Sequence, residues 1–154
     1  MADDLLLRPA TSEDLPAIAD LHVRVRDAAY PLMPRSVHDA AEVAAWVAGW
    51  DLELSEVWVA CSGDRPVGYA RVHEEWLEDL YVDPAAAGQG VGSALLDLVK
   101  ARCPRGFGLW VFVSNTRAID FYARHGLVEV LRTDGADNEE HEPDIQLAWP
   151  GAPA

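Results

Sequence analysis

The hydrophobic and polar positions of the chain divide it into short elements separated by turns. Short apolar-rich runs bounded by glycine, proline or charged pairs predict strands, and apolar residues at three- and four-residue spacing predict helices. The predicted strands are 5–8, 57–61, 67–73, 76–82, 107–113, 127–131 and 145–149. The predicted helices begin at Thr11 or Ser12, at Ser36, at Val91 and at Ser114–Thr116. The pattern therefore predicts an α/β fold with about seven strands and about four helices.

The connections between these elements predict how the strands pair. Strands 57–61, 67–73 and 76–82 are joined by short turns, which favours an antiparallel meander. The helix from Val91 separates strands 76–82 and 107–113, and a strand–helix–strand order is typical of a parallel pair. With 154 residues and no linker or repeat, we expect a single domain over residues 1–154.

The second helix is the element with the least distinct boundaries. Ser36 is a residue type that caps helices, and it follows a loop with two prolines. Val43, Trp46, Val47 and Trp50 would then line one face of the helix. The first helix carries His22 on or beside its apolar face, where a packed, hydrogen-bonded histidine is the more frequent role.

Three alternating glycines, Gly88, Gly90 and Gly92, connect strand 76–82 to the helix at Val91. Such a loop lets the backbone turn sharply and come close to a ligand, and it opens a helix whose free N–H groups attract anions such as phosphate. A P-loop is excluded because no lysine precedes Ser93, and the dinucleotide fingerprint is a poor fit because one residue separates the last two glycines. An ordinary strand–turn–helix connection is the alternative.

The glycine loop resembles the pyrophosphate-binding motif of the GNAT superfamily of acyl-CoA-dependent N-acyltransferases. Gly90 and Gly92 match its two small positions, whereas Ala87 stands where the family usually has Arg or Gln. A second family motif follows at the expected distance, with matches at Asn115, Ala118, Phe121, Tyr122 and Gly126, and with Leu127 replacing Phe. The two motifs span residues 80–127.

The resemblance implies a GNAT-like mixed central sheet that is splayed between its fourth and fifth strands, and acetyl-CoA as the cosubstrate. It implies that the backbone of strand 76–82 takes the pantetheine arm, that the glycine loop holds the pyrophosphate and that Asn115 bonds the arm. The expected coenzyme-binding residues are Leu80, Tyr81, Val82, Ala87, Gly88, Gln89, Gly90, Val91, Gly92, Ser93 and Asn115.

The resemblance also implies direct attack of an amine on the thioester, with Tyr122 as the acid that protonates the leaving thiolate. Glu78 is the first candidate for the base, since strict alternation would place it on the face of Leu80 and Val82. Glu75 and His73 are the alternatives, and a surface carboxylate is an equally good interpretation of Glu78.

The acceptor is less constrained than the coenzyme. The family resemblance places the segment 30–50 and the acidic loop near residue 139 around the acceptor, so Tyr30 is a candidate substrate residue. Trp76, at the start of strand 76–82, is a second candidate. Glu139, Glu140 and Glu142 would attract a cationic amine, or would simply form a solvated acidic loop. We expect a small-molecule primary amine. A protein or peptide acceptor and a non-catalytic acyl-CoA-binding sensor are the alternatives.

The net charge of −14 argues against a nucleic-acid partner, because nucleic-acid phosphates would be repelled. An acyl-CoA is also a polyanion, so backbone N–H groups and local basic residues would have to bind it. The candidates for its phosphates are Lys100, Arg102, Arg117 and Arg124, and the sequence does not choose among them. An acidic surface favours a cationic acceptor, although it also serves solubility.

Composition adds expectations about environment and assembly. No apolar run reaches the roughly 18 residues of a membrane span, and Met1–Asp4 has no basic region typical of a signal peptide. Cys61 and Cys103 have no metal-ligand spacing, so we expect free thiols, no metal and a cytoplasmic protein. Family members often pair through their C-terminal strands, which suggests a homodimer.

Overall fold

The structure is a computed structural model that describes residues 5–153. The signal-peptide prediction rests on residues 1–4, which lie outside the described residues. Its strands are β1 (Leu5–Pro9), β2 (Glu56–Ser62), β3 (Arg65–His73), β4 (Trp76–Val82), β5 (Phe107–Phe112), β6 (Val128–Thr133) and β7 (Asp144–Trp149). Its α-helices are α1 (Leu15–Ala29), α2 (Ala40–Ala48), α3 (Val91–Arg102) and α4 (Thr116–Arg124). None of these helices has both the length and the apolar character needed to span a membrane.

The seven strands form one sheet in the order β1-β2-β3-β4-β5-β7-β6. Every neighbouring pair is antiparallel except β4 and β5, which run parallel and share a single paired position, Trp76 with Gly108. Beyond that pair the two strands diverge, so the sheet opens like a V. The predicted meander, the parallel pair and the splay between the fourth and fifth strands are confirmed.

Two apolar cores lie on opposite faces of this sheet. Helices α1 and α2 contribute Ile18, Leu21 and Val47 to one core, and α3 contributes Leu95 to the other. Each fully buried side chain of this size stabilises the fold by about 1.5–3 kcal/mol. Tyr69 packs in the α1–α2 core while its neighbour in β3, Ala70, packs in the other, as alternation along a strand requires.

The second helix begins later than predicted. Its N-cap is Asp39, whose carboxylate accepts a hydrogen bond from the Glu42 N–H at 2.8 Å, while the Glu42 carboxylate accepts one from the Asp39 N–H at 3.1 Å. This reciprocal capping box satisfies two free donors, so it fixes the start of the helix in preference to Ser36. Ser36 lies in the preceding loop, and Trp50 follows the end of the helix.

A β-bulge interrupts the alternation of side chains in β4. Arg71 pairs with Asp79 and Val72 pairs with Leu77, which leaves Glu78 as the extra residue. Because of this insertion, Leu77 shares the α3 core with Leu80 and Val82. The argument that alternation places Glu78 on the face of Leu80 and Val82 is therefore wrong.

Candidate functional site

The main cavity of the protein lies where β4 and β5 diverge. It has a volume of about 1030 Å³ and is lined by residues from α1, α2, β4, β5, α4 and the loop between β6 and β7. Leu80, Tyr81, Val82, Asn115 and Tyr122 all line it, so the structure brings together the residues expected to bind the coenzyme arm and the expected acid. Beyond Trp76, β4 has no ladder partner in β5, so its edge can hydrogen-bond an extended amide-containing ligand.

The glycine loop lies next to this edge and does not itself line the cavity. Gly88 and Gly90 have φ angles of 79° and 82°, a left-handed conformation that side chains disfavour. Gly90 is the N-cap of α3 and offers no side chain to the first-turn N–H groups, so these groups remain available to an anion. A Cβ atom on Gly92 would lie 3.4 Å from the Phe121 ring, so the two sequence motifs are in contact.

The other loop residues have different environments. Ala87 and Gln89 are exposed, whereas Val91 is 3% exposed and packs in the α3 core. The hydroxyl of Ser93 lies 3.1 Å from Nε2 of His125 at the end of α4. The side chains of Val91 and Ser93 therefore contact other parts of the protein. We expect only the backbone N–H groups of these two residues to bind a phosphate.

Tyr122 is buried in the wall of the cavity with 9% of its surface exposed. Burial raises the pKa of its phenol above the ordinary value of 10, and the neighbouring Tyr81 and Asp79 raise it further. The hydroxyl is therefore protonated at neutral pH. A neutral phenol in the cavity wall can donate a proton to a leaving group there.

Among the three candidates for the base, only Glu78 lines the main cavity. His73 contacts Ser55 and Glu74 instead, at 3.4 and 3.8 Å. Glu75 borders a separate small cavity near the closed end of the V. Glu78 is exposed and sits on the β4 bulge, a feature that often re-aims a side chain beside an active site.

A buried polar network in the wall of the cavity was not predicted. Nδ1 of His22 lies 2.8 Å from the Tyr69 hydroxyl, and burial lowers the pKa of His22, which keeps its imidazole neutral. Nε of Arg71 donates to Asp79 at 2.9 Å, and the Arg71 guanidinium lies over Trp50 at 4.7 Å. His22 is packed as the sequence indicated, but it also lines the cavity. Charged residues within otherwise apolar strands were the available signal for the Arg71–Asp79 pair.

At the end of the cavity lined by Glu139 and Glu140, the loop between β6 and β7 makes one ion pair with α1 and one with the loop before α2. Nη2 of Arg26 lies 3.3 Å from Glu140, and Nε2 of His38 lies 2.5 Å from Glu139. Hydrogen bonding to Glu139 and then to Glu42 raises the pKa of His38, so protonation is favoured there. Glu139 and Glu140 line the cavity, whereas Glu142 does not.

The cavity carries an excess of negative charge. Its lining includes two guanidinium groups, those of Arg26 and Arg71, and six carboxylates: Glu42, Glu78, Asp79, Asp137, Glu139 and Glu140. Within residues 5–153 no three His, Cys, Asp or Glu side chains are grouped to hold a metal ion. The charge of the cavity favours a cationic ligand.

Two predicted substrate residues lie outside the main cavity. Tyr30 is 48% exposed and stacks against the Arg35 guanidinium at 4.0 Å, although its neighbour Ala29 lines the cavity. Trp76 lies at the closed end of the V, where its ring covers Gly108. Neither side chain faces the acceptor position directly.

The four basic candidates for the coenzyme phosphates divide into two pairs. Nζ of Lys100 donates to the His125 carbonyl at 2.5 Å, and Nε of Arg102 pairs with Glu56 at 2.9 Å. Arg117 and Arg124 are exposed on α4 and have no ion-pair partner within the described residues. The second pair is therefore the better candidate.

Comparison with known proteins agrees with this geometry. Residues 20–127 match the model of the acetyltransferase (GNAT) family. The peptidyl-lysine N-acetyltransferase YjaB of Salmonella typhimurium is 32% identical over 100 residues, which cover 64% of this chain and 68% of that protein. The peptidyl-lysine N-acetyltransferase YiaC of Escherichia coli is 27% identical over 147 residues, covering 94% and 97%. The solution structure of apo YjaB from Escherichia coli superposes with a TM-score of 0.76 at 26% identity, over 96% of this chain and 99% of that one.

Proposed function

Since this chain belongs to the GNAT family of acetyltransferases and is an acyl-CoA-dependent N-acyltransferase, we propose that it transfers an acetyl group from acetyl-CoA to the side-chain amine of a lysine in a peptide or protein. One observation carries the proposal: a single cavity joins the free β4 edge and Tyr122 to a carboxylate-rich end. Two relatives named as peptidyl-lysine N-acetyltransferases support the lysine acceptor.

The coenzyme would lie along the open V. The backbone of Leu80 and Val82 would pair with the amide groups of the pantetheine arm, and Asn115 would bond the arm from the start of α4. The free N–H groups of Gly88 to Gly92 and the first turn of α3 would bind the pyrophosphate, which needs few side-chain cations. Arg117 and Arg124 would add charge near the phosphates.

The ammonium group of the acceptor loses two protons in the reaction, and the leaving thiolate gains one. Lysine arrives as an ammonium ion, and Glu78, directly or through water, takes its proton. The free amine then attacks the thioester carbonyl, the carbon–sulfur bond breaks, and the Tyr122 hydroxyl donates its proton to the leaving thiolate, while the attacking nitrogen loses its second proton and thereby restores the neutral phenol. The products are an N-acetyl amide and free coenzyme A.

A Glu78→Gln variant tests the role of the base. We expect its turnover at neutral pH to fall by about 10²-fold, because glutamine cannot accept the ammonium proton. The deficit should narrow as the pH approaches about 10.4, where lysine loses its proton without help. A pH–rate profile measured beside wild type gives the answer. An equal deficit at every pH would show that Glu78 acts on binding or structure instead.

The acceptor class is tested with a panel of amines and a free-thiol assay. A peptide with a blocked N-terminus and one lysine should release coenzyme A and gain the mass of one acetyl group. The same peptide with its lysine already acetylated is the matched control and should do neither. If no lysine peptide is acetylated while wild type turns over small primary amines, the peptide acceptor is wrong.

A small-molecule primary amine is the second candidate. The observation that favours it is the closure of the acceptor end by the Arg26–Glu140 and His38–Glu139 pairs, which limits the room for a chain. The same panel decides between the two, since a small amine would then show the higher kcat/KM. Membership of an acetyltransferase family leaves a non-catalytic sensor without support.

A further inference from the structure

Two tryptophans lie side by side on the sheet next to the acceptor cavity. The rings of Trp76 and Trp110 are nearly parallel, with 6° between their planes and 6.3 Å between their centroids. Gly108 makes this arrangement possible, because a Cβ atom there would lie 2.8 Å from the Trp76 ring. The absence of a side chain at Gly108 therefore lets the Trp76 ring lie flat on β5.

These two rings lie outside both apolar cores, although the Trp76 ring covers Gly108. Neither Trp76 nor Trp110 belongs to either apolar core, and Trp110 is 48% exposed. Together with Leu77 and Glu78 they line a small cavity of about 240 Å³. Leu77, Glu78 and Trp110 also line the main cavity, so the two cavities are adjacent and share these residues as walls.

The cation contacts of the six tryptophans separate this pair from the others. Trp46 and Trp50 lie under the Arg71 guanidinium, Trp58 under Arg102 and Trp149 under the Lys100 ammonium. Within residues 5–153, neither Trp76 nor Trp110 has such an internal partner. A cation from outside would therefore meet no competing cation of the protein at these two rings.

The chemistry of the small cavity suits a positive side chain. The face of an indole ring attracts cations more strongly than that of any other side chain, and guanidinium groups also stack on it. Glu78 lines the same small cavity and adds a negative charge, and the whole chain carries −14. At roughly 30 Å³ for each water molecule, the space admits a side-chain head group together with water.

We propose that Trp76 and Trp110, in the small cavity that Glu78 also lines, form a second cation subsite that binds a basic residue flanking the acceptor lysine. The proposal rests on the proposed function, since it takes the acceptor to be a peptide. It makes the preferred substrate a peptide with two cationic side chains. One enters the main cavity and is acetylated, and the other lies on the indole faces and is not.

The experiment compares peptide pairs that differ in one charge. Each peptide has a blocked N-terminus and one lysine, with arginine placed in turn at each nearby position, and its partner has the neutral isostere citrulline there. At the favoured position we expect wild type to prefer the arginine peptide by about three- to tenfold in kcat/KM, mostly through KM. The same kcat/KM for both members of every pair would overturn the proposal.

Two substitutions assign the preference to the rings. The Trp110→Ala variant should bring the arginine-to-citrulline ratio close to one, and Trp110→Phe should leave an intermediate ratio. Trp58→Phe is the matched control, since Trp58 lies on β2 away from both cavities, and its ratio should equal that of wild type. Thermal unfolding would verify that the variants are folded. A full preference retained by folded Trp110→Ala would overturn the proposal.

Binding without turnover separates this proposal from the proposed function. Tryptophan fluorescence is titrated with arginine and citrulline peptides whose lysine is already acetylated. Tighter binding of the arginine peptide that Trp110→Ala abolishes would support the subsite even if no peptide were a substrate. If the arginine and citrulline peptides with a free lysine are acetylated at the same rate, and their acetylated forms bind equally, the subsite is refuted and the proposed function stands. Free polyamines are titrated in the same way. If Trp110→Ala weakens the binding of polyamines but not that of the arginine peptide, the ligand of the subsite is not a peptide side chain.

Discussion

Replacing Tyr122 with phenylalanine should reduce kcat by about 10²-fold or more while changing the affinity for acetyl-CoA by less than about twofold. The substitution removes one oxygen from a ring that packs in the α3 core and lines the cavity, so the ring contacts remain. What is lost is the proton that a neutral, buried phenol would give to the leaving thiolate. Free-thiol release measures the first quantity, and calorimetric titration with acetyl-CoA measures the second.

Tyr81→Phe is the matched control for this experiment. Tyr81 also lines the cavity, and burial raises the pKa of its phenol as well. Its hydroxyl has no part in the proposed proton transfers, so the loss of this group should reduce kcat by less than about tenfold. Equal losses in the two variants would indicate a general disturbance of the cavity. An unchanged kcat in Tyr122→Phe would exclude Tyr122 as the acid.

Asp79→Ala should lower the free energy of unfolding by about 3–5 kcal/mol, since it leaves the charge of Arg71 without its partner in the interior. The side chains of Asp79 and Arg71 are only 8% and 15% exposed, and they are 2.9 Å apart. Glu56→Ala is the matched control. It breaks the Arg102–Glu56 pair, which has the same 2.9 Å separation but side chains that are 52% and 45% exposed.

The exposed pair should contribute only about 0–1 kcal/mol, because water already solvates both charges. Urea unfolding of the two variants and wild type, analysed at a common m-value, compares the costs directly. Similar small losses in both variants would show that Arg71 reaches water through the cavity when Asp79 is absent. In that case the pair would orient Arg71 over Trp46 and Trp50 without contributing much stability.

Local pattern was sufficient to predict the elements that meet at the cavity. Leu80, Asn115 and Tyr122 come together because a strand, a glycine loop, a helix and a parallel strand can connect in few ways. The Asp39–Glu42 pair of the capping box is also present in the sequence, so the choice of Ser36 as the cap is wrong. Boundaries of this kind depend on which of several nearby caps satisfies more free donors.

The residues that the sequence did not reveal depend on contacts between distant parts of the chain. The bulge at Glu78 arises from the register between β3 and β4, which no periodicity within one strand can show. His22 and Tyr69 are 47 positions apart, and their hydrogen bond forms only once α1 packs on the sheet. The homodimer and the cytoplasmic location stay predictions, and sedimentation and fractionation would test them.

Helix α1 makes ion pairs with the segment before the glycine loop and with the loop between β6 and β7. Arg24 lies 2.8 Å from Asp83, which accepts a hydrogen bond from the Ala85 N–H just before the glycine loop. Arg26, two residues further along the same helix, pairs with Glu140 in the loop that covers the acceptor end. A helix of 15 residues is a stiff rod, so the spacing between these two anchor points is set by one rigid body. A shift of that helix would therefore be passed through both ion pairs, to the segment before the glycine loop and to the loop that carries Glu140.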